Sequence, residues 1–307
     1  MFEPVSPLPL VVLRIVFGAY GFVYFLRLRE PLTFAYGDQG LVRFGADLPR
    51  PIDLQFNLLT WLPLPSDLAV GIFVAAGCLS AVLVMIGLWV RVTGVVLWLL
   101  SLSAVASIHS NSGDAIVVVL AFLLMLAGLA GHSGACLSLD ARQRVRRRGP
   151  VARTNQIPAW PVRLLQLQLI AIYFFTGVYK AMNVVWNQGE AMHYVFAQSS
   201  WSRMDLTWLD SYPSALAALT FGVLLFELLV FPVVVWFRRS RLAVLALGLL
   251  FHYGIAMTMK VFIFHEIMTV YYICFLEERH LRPIVDRLIR RFQPGARRRV
   301  TQNAVVD

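Results

Sequence analysis

Residues 115–131 read AIVVVLAFLLMLAGLAG, and no charged side chain interrupts this run. A helix of roughly 20 apolar residues is long enough to cross the hydrocarbon layer of a bilayer, so the run predicts a membrane-spanning helix at 114–131. Comparable runs recur along the chain without the alternation of apolar and polar residues that a membrane barrel needs. Together they predict about eight helices, at 8–26, 68–88, 92–108, 114–131, 163–182, 214–237, 241–259 and 262–277.

The composition supports the same class. The chain is 59% hydrophobic and only 14% charged, whereas a soluble domain is about a quarter charged. We therefore expect an all-α, multi-pass protein of the cell membrane, in contact with membrane lipid. The net charge of +10 does not indicate a nucleic-acid partner, because the arginines cluster in short loops and at the C-terminus, as expected for anchors that face an anionic leaflet. The three cysteines form no CxxC motif and are interpreted as core thiols.

The spacing of the runs predicts one membrane domain over residues 8–280. It contains four helices over 8–131, an Arg-rich cytoplasmic loop over 132–162 and four helices over 163–277. A basic cytoplasmic tail follows over 281–307.

The distribution of arginine predicts the orientation. If the segments between helices four and five, between six and seven and after helix eight are inside, the inner segments carry 19 basic residues and the outer ones 7. Basic residues favour the cytoplasmic side, so both termini are expected in the cytoplasm. Lys180 and Lys260 then lie at the outer face, with the two longest outer loops, 27–67 and 183–213. These loops are too long for simple turns and could fold as a cap.

Lysine is rare in this chain, since only Lys180 and Lys260 are lysines among 27 basic side chains. Arginine keeps its proton in proteins, whereas a lysine in a dry pocket can lose it. Lys260 lies in a short outer turn and is interpreted as an interfacial anchor. Lys180 has two interpretations: an anchor with Trp186 as its interfacial aromatic, or a general base facing the bundle.

A polar stripe on the fifth predicted helix favours the second interpretation. Gln166, Ile170, Tyr173, Gly177 and Lys180 are spaced by 4, 3, 4 and 3 residues, which places them on one helical face. The small Gly177 leaves room for a neighbouring helix or a flat ligand.

Other ionisable residues lie within the predicted spans, where such groups are costly and usually face the bundle interior. Arg14 and Glu227 are interpreted as a structural ion pair, in preference to a proton relay through Glu227. For His252, a packing role and a pocket role are equally compatible with the sequence. His265 and Glu266 are adjacent and point in different directions, and no zinc motif occurs, so no metal site is predicted.

Several short segments carry a resemblance that covers most of the chain. The longest is IYFFTGVYKAMNVVWNQGEAMHY at 172–194, an aromatic run followed by glycine, lysine and Trp-x-x-Gly. The others, in chain order, are LRIVFGAYG at 13–21, YGDQGL at 36–41, GLWVR at 87–91, NSGDAI at 111–116, LSLDA at 137–141 and FHYGIAMTMKVFIF at 251–264. In this order the segments resemble the HTTM domain, the membrane domain of vitamin K-dependent γ-carboxylases and their bacterial relatives. The chain resembles a short bacterial form that lacks the C-terminal extramembrane region.

The resemblance implies a chemistry and a site. Lys180 matches the lysine that deprotonates reduced vitamin K, here a menaquinol-type quinone, and oxygen then converts the anion into a base strong enough for carboxylation with carbon dioxide. The implied pocket opens at the outer, extracytoplasmic face, with Tyr173, Gly177, Trp186, His252 and His109 as its candidate residues. A secreted peptide is an implied substrate. The alternative is a maturation or export factor for a secreted peptide or toxin, without redox turnover, because short relatives include such a protein.

Overall fold

The computed structural model describes residues 3–41, 57–61, 66–107, 112–150, 155–261 and 263–292. His109 of the predicted pocket and parts of the predicted 27–67 loop and 281–307 tail lie outside these ranges. The predicted all-α membrane class is confirmed: the described residues contain helices and two isolated β-bridges but no strand. Within the described ranges, seven helices are long and apolar enough to cross a membrane.

Long helices make up most of the fold, and shorter ones lie in their connections. The α-helices are α1 Leu8–Tyr36, α2 Ser66–Ile86, α3 Val90–Ser107, α4 Ser112–Leu129, α5 Leu139–Arg148, α6 Trp160–Ala181, α7 Val184–Asn187, α8 Ala191–Ala197, α9 Pro213–Leu225, α10 Arg241–Thr258, α11 Phe264–Tyr271 and α12 Glu278–Phe292. A π-helix, Phe226–Val234, continues α9, and 3-10 helices lie at Leu58–Trp61, Thr207–Ser211 and Tyr272–Phe275.

The last of the eight predicted crossings is shorter and less regular than expected. The predicted helix 262–277 is divided into α11, of 8 residues, and a 3-10 helix of 4 residues. Its two ends nevertheless lie at opposite ends of α10. Lys260 N donates to Trp201 O beyond the end of α10, and Glu277 pairs with Arg241 at its start, 2.7 Å apart. The segment therefore returns along the length of α10, about 27 Å for 18 residues.

Contacts between connections define an arginine-rich end of the bundle. Val5 pairs with Ile157, Arg14 reaches the start of the α5 segment at Leu137, and Glu277 binds Arg241. These contacts bring the start of α1, the α4–α5 connection, the starts of α6 and α10, and α12 to the same end. The segments predicted to share one side of the membrane are thus together, and Lys180, in the last turn of α6, lies towards the opposite end.

Arg14 does not pair with Glu227, so this predicted ion pair is wrong. The Arg14 side chain is fully buried, and its guanidinium donates to the carbonyl oxygens of Val84, Met85 (3.0 Å) and Leu137 (2.9 Å). The C-terminal turn of a helix leaves carbonyl groups without partners inside the helix, and the end of α2 supplies two of these acceptors. Arg14 thereby joins α1 to α2 and to the connection before α5.

A glycine completes this junction. Gly87 follows α2 with φ +71°, a conformation that glycine adopts readily. A Cβ at this position would lie 2.3 Å from Ser138 Cβ and 2.6 Å from Arg14 Nη1. The absence of a side chain at Gly87 therefore lets Arg14 reach its carbonyl acceptors.

We expect Arg14→Met to destabilise the protein strongly. The change keeps a long side chain but leaves buried carbonyl acceptors without a donor, at a cost of roughly 2–5 kcal/mol in the free energy of unfolding. Arg91→Met, at an exposed arginine of the same end, is the matched control and should have little effect. Denaturant unfolding of the purified protein in bicelles measures both. Equal stability of the two variants would contradict the role of Arg14.

Candidate functional site

Close packing of α6 against the π-helix forms the base of the candidate site. A Cβ on Gly177 would lie 2.9 Å from Leu228 Cγ and 3.1 Å from Glu227 Cβ, so the absence of a side chain lets Leu228 and Glu227 pack directly against α6. Gln166, Tyr173 and Gly177 of the predicted stripe are all buried. The stripe therefore faces the bundle interior.

The π-helix Phe226–Val234 directs two of its side chains towards α6. Pro232 lies within it and has no N–H to donate, which weakens the regular α-helical hydrogen bonding around it. Such wide turns occur often at functional sites. Here Glu227 meets Lys180, and the Phe231 ring stacks on Tyr173 with the ring centroids 3.9 Å apart.

Lys180 and Glu227 form an ion pair inside the bundle. Lys180 Nζ lies 2.5 Å from Glu227 Oε1, and the two side chains are 24% and 5% exposed. Lys180 Nζ also lies 5.1 Å from the centroid of the Trp186 ring, within range of a cation–π interaction. The carboxylate and the aromatic ring together hold the amine on the interior side of α6.

A chain of three hydrogen-bonding side chains lies next to this pair. Tyr173 Oη is 2.5 Å from His252 Nε2 and also forms a hydrogen bond with the Tyr272 hydroxyl. His252 is 1% exposed and comes from α10, whereas Tyr272 comes from the 3-10 helix after α11. Gly248 leaves room for the Tyr272 hydroxyl, which lies 2.2 Å from where its Cβ would be. Three elements distant in sequence thus meet at one polar cluster.

A cavity of about 570 Å³ connects the two groups. Its wall includes Tyr173, Lys180, Glu227 and His252, and the remainder is mostly apolar or aromatic. This volume lies within the range of about 300–1,000 Å³ that is typical of small-molecule sites. The apolar part includes Ile172, Phe175, Phe251, Ile255, Phe264 and Met268.

A second cavity of about 440 Å³ adjoins the first. The two share Lys180, Phe251, Ile255 and Phe264 in their walls. Trp186 lines the second cavity only, together with apolar residues of α8. Lys180 therefore lies at the boundary between an inner cavity with a polar cluster and an outer, apolar one.

Two polar atoms of the inner site lack partners. Glu227 Oε2 and His252 Nδ1 are buried and make no hydrogen bond to any part of the chain that the structure describes. A buried polar group without a partner costs roughly 1–3 kcal/mol, and native proteins keep few of them. Both residues line the cavity described above.

The comparison with protein families agrees with this architecture. The sequence model of the HTTM domain matches residues 2–279. This chain belongs to the HTTM domain family. HTTM domains are found in vitamin K-dependent γ-carboxylase-like proteins. No curated protein and no solved structure matches the chain.

The structure of this HTTM protein brings most of the predicted pocket residues together. Tyr173, Lys180 and His252 line the inner cavity, and Trp186 lines the outer one. Gly177 lies behind the inner cavity, at the contact with the π-helix. The place of His109 is not described. Tyr272 was not among the residues predicted from the sequence, although the adjacent tyrosines at 271–272 in a mostly apolar segment were a visible signal.

Lys260 and Glu266 form contacts outside the candidate site of this HTTM protein. Lys260 Nζ donates to Ser199 O at 3.2 Å, and this contact holds the 183–213 segment. Glu266 forms an ion pair with Arg27 at 2.8 Å. Within the described ranges, no three His, Cys, Asp or Glu side chains are grouped as metal ligands.

We expect Lys180 and Glu227 to be energetically coupled. Glu227→Gln and Lys180→Met each leave one partner without its opposite charge, whereas the double variant removes both charges. A double-mutant cycle of unfolding in bicelles should give a coupling of about 1–3 kcal/mol, below the value for a fully buried pair because Lys180 is partly exposed. Strictly additive effects would show that the ion pair does not form in the folded protein.

Proposed function

We propose that this HTTM protein is a quinol-dependent membrane oxidoreductase of the γ-carboxylase-like kind, with Lys180 as its general base. The observation that supports this proposal is the Lys180–Glu227 pair, located in the wall of an apolar cavity beside two buried polar atoms without partners. A general base must reach its proton through a hydrogen bond. Lys180 lines the inner cavity, so a ligand bound there would lie within reach of its amine.

The residues present fit a reduced quinone of the menaquinol type. The cavity is mostly apolar, as a fused ring system requires, and aromatic side chains of Phe251 and Phe264 line it. Two ring oxygens need polar partners, and the side chains of Lys180 and His252 line the wall. When bound, the reduced quinone supplies a ring hydroxyl whose anion reacts with oxygen.

Lys180 can accept a proton only as a neutral amine. Its ion pair with Glu227 provides the means, because the carboxylate is in direct hydrogen-bond contact and can take up the proton that the ammonium releases. Glu227 is therefore proposed to act as the proton store for Lys180.

Tyr173 and Tyr272 are proposed to position His252. The Tyr173 hydroxyl is hydrogen-bonded to His252 Nε2, so Nδ1 is the ring nitrogen proposed to bind a ligand. The stacking of Phe231 on Tyr173 and Tyr272 fixes the phenol rings. A histidine held in one orientation can select a ring oxygen by a single hydrogen bond.

The membrane orientation forms part of the same proposal. We place the arginine-rich end in the cytoplasm, with both termini, because positive charge favours that side. The Lys180 site then opens towards the extracytoplasmic face of the cell membrane. Carbon dioxide and a secreted peptide, the further reactants implied by the family, would approach from that side.

We expect the purified wild-type protein to convert reduced menaquinone to its epoxide in the presence of oxygen and bicarbonate. Lys180→Ala should lower the yield of epoxide by about 100-fold or more, the usual range for a positioned general base. Lys260→Ala, which removes the other lysine, is the matched control and should retain wild-type turnover. Epoxide is measured by chromatography of the extracted quinone, with an anaerobic sample as the blank.

Two results of this assay would overturn the proposal. Equal epoxide from the wild type and Lys180→Ala would exclude Lys180 as the base. A total absence of product from a folded wild type, with and without a glutamate-containing peptide, would exclude quinol oxygenation by this chain.

We expect cysteine labelling in intact cells to confirm the orientation. A Cys136→Ser background removes the least buried of the three native thiols. In this background Trp208→Cys, at an exposed position near the Lys180 end, should react with a membrane-impermeant maleimide. Arg146→Cys, in α5, should react only after the cells are permeabilised. The reverse pattern would place the site in the cytoplasm.

A further inference from the structure

The last described helix, α12, has two chemically different faces. At 100° per residue, Leu281, Ile284, Val285, Leu288 and Ile289 of Glu278–Phe292 occupy one continuous arc. The opposite arc is dominated by arginine, namely Arg279, Arg282, Arg287, Arg290 and Arg291. The sequence alone predicted a basic tail whose arginines face an anionic leaflet, and the helix arranges this charge along one side.

Most of the apolar arc has no protein partner in the described chain. Leu281, in the first turn, is 5% exposed, whereas Ile284 is 58%, Leu288 50% and Ile289 39% exposed. A helix stabilised by an amphipathic pattern normally buries its apolar face against another surface. The second half of α12 therefore presents apolar side chains to its surroundings.

The position of α12 in the fold indicates what surrounds its exposed apolar side chains. The helix follows directly after Glu277, which pairs with Arg241 at 2.7 Å and with Arg238 at 3.4 Å, at the end of the bundle where α10 starts. Glu278 and Arg282 lie within electrostatic range of Cys136, in the connection between α4 and α5. The helix thus begins at the level where the membrane-spanning helices of the arginine-rich end terminate.

We propose that α12 binds the lipid surface of the anionic leaflet, with Ile284, Leu288 and Ile289 inserted at the boundary between head groups and acyl chains. Its arginines then contact lipid phosphates, as basic amphipathic helices do at membrane surfaces. A second copy of the chain is not the proposed partner of the apolar arc, because two α12 helices would bring two sets of five arginines together. An anionic surface complements them.

The test uses the full chain in vesicles of phosphatidylcholine with and without phosphatidylglycerol. A nitroxide label is attached to Leu288→Cys in the Cys136→Ser background, and its collisions with oxygen and with a water-soluble nickel complex are measured. Arg290→Cys lies about 160° away on the same helix and is the matched control. Ile284→Cys replaces Leu288→Cys if that variant does not fold.

We expect the label at 288 to collide severalfold more with oxygen than with the nickel complex, and the label at 290 to show the reverse. Phosphatidylglycerol should increase the depth of the label at 288 in the membrane. The Arg287→Gln/Arg290→Gln/Arg291→Gln variant should lose this dependence on lipid charge. Equal accessibility of both labels to the nickel complex would overturn the proposal, because the helix would then lie in water. Protection at 288 from both reagents would also overturn it, because a protein surface would then cover the apolar arc.

Discussion

The cost of a polar group in an apolar environment is the constraint on which this structure depends. Every ionisable side chain in a membrane-spanning helix needs a partner there. Arg14 donates from both terminal nitrogens of its guanidinium to carbonyl groups at the end of α2 and at Leu137, and so joins three segments of the first half of the chain. Lys180 satisfies its ammonium with Glu227 and joins α6 to the π-helix. Arg14 is bound by neutral carbonyl dipoles and keeps its charge, whereas Lys180 is bound by a carboxylate, a group that can exchange a proton.

In the candidate site, these polar contacts occur together with close packing of the helices. Gly177 brings α6 against the π-helix, and the wide turn around Pro232 brings both Glu227 and Phe231 towards α6. Tyr272 comes from the 3-10 helix that follows α11. The irregular backbone thus occurs where side chains from several helices converge. Regular α-helices would not bring these side chains together.

Patterns within single helices carried most of the information that the sequence provides. The run of 115–131 predicted a helix that the structure has at Ser112–Leu129, and the stripe of α6 correctly placed Tyr173, Gly177 and Lys180 on an inward face. Pairings between helices could not be predicted in the same way. Glu227 was expected to bind Arg14, since both are charged and lie within apolar spans, but the choice of partner depends on how distant helices pack. The π-helix and the uneven final crossing likewise depend on tertiary contacts that no local pattern encodes.

The shared wall between the two cavities has a thermodynamic consequence. Lys180 borders both cavities, so a ligand in either one changes the cost of its charge for the other. Two ligands that respond to the same charge are linked, and each must alter the affinity for the other by an equal factor. A single amine can in this way couple the affinities of the two cavities for their ligands, without any movement of the helices.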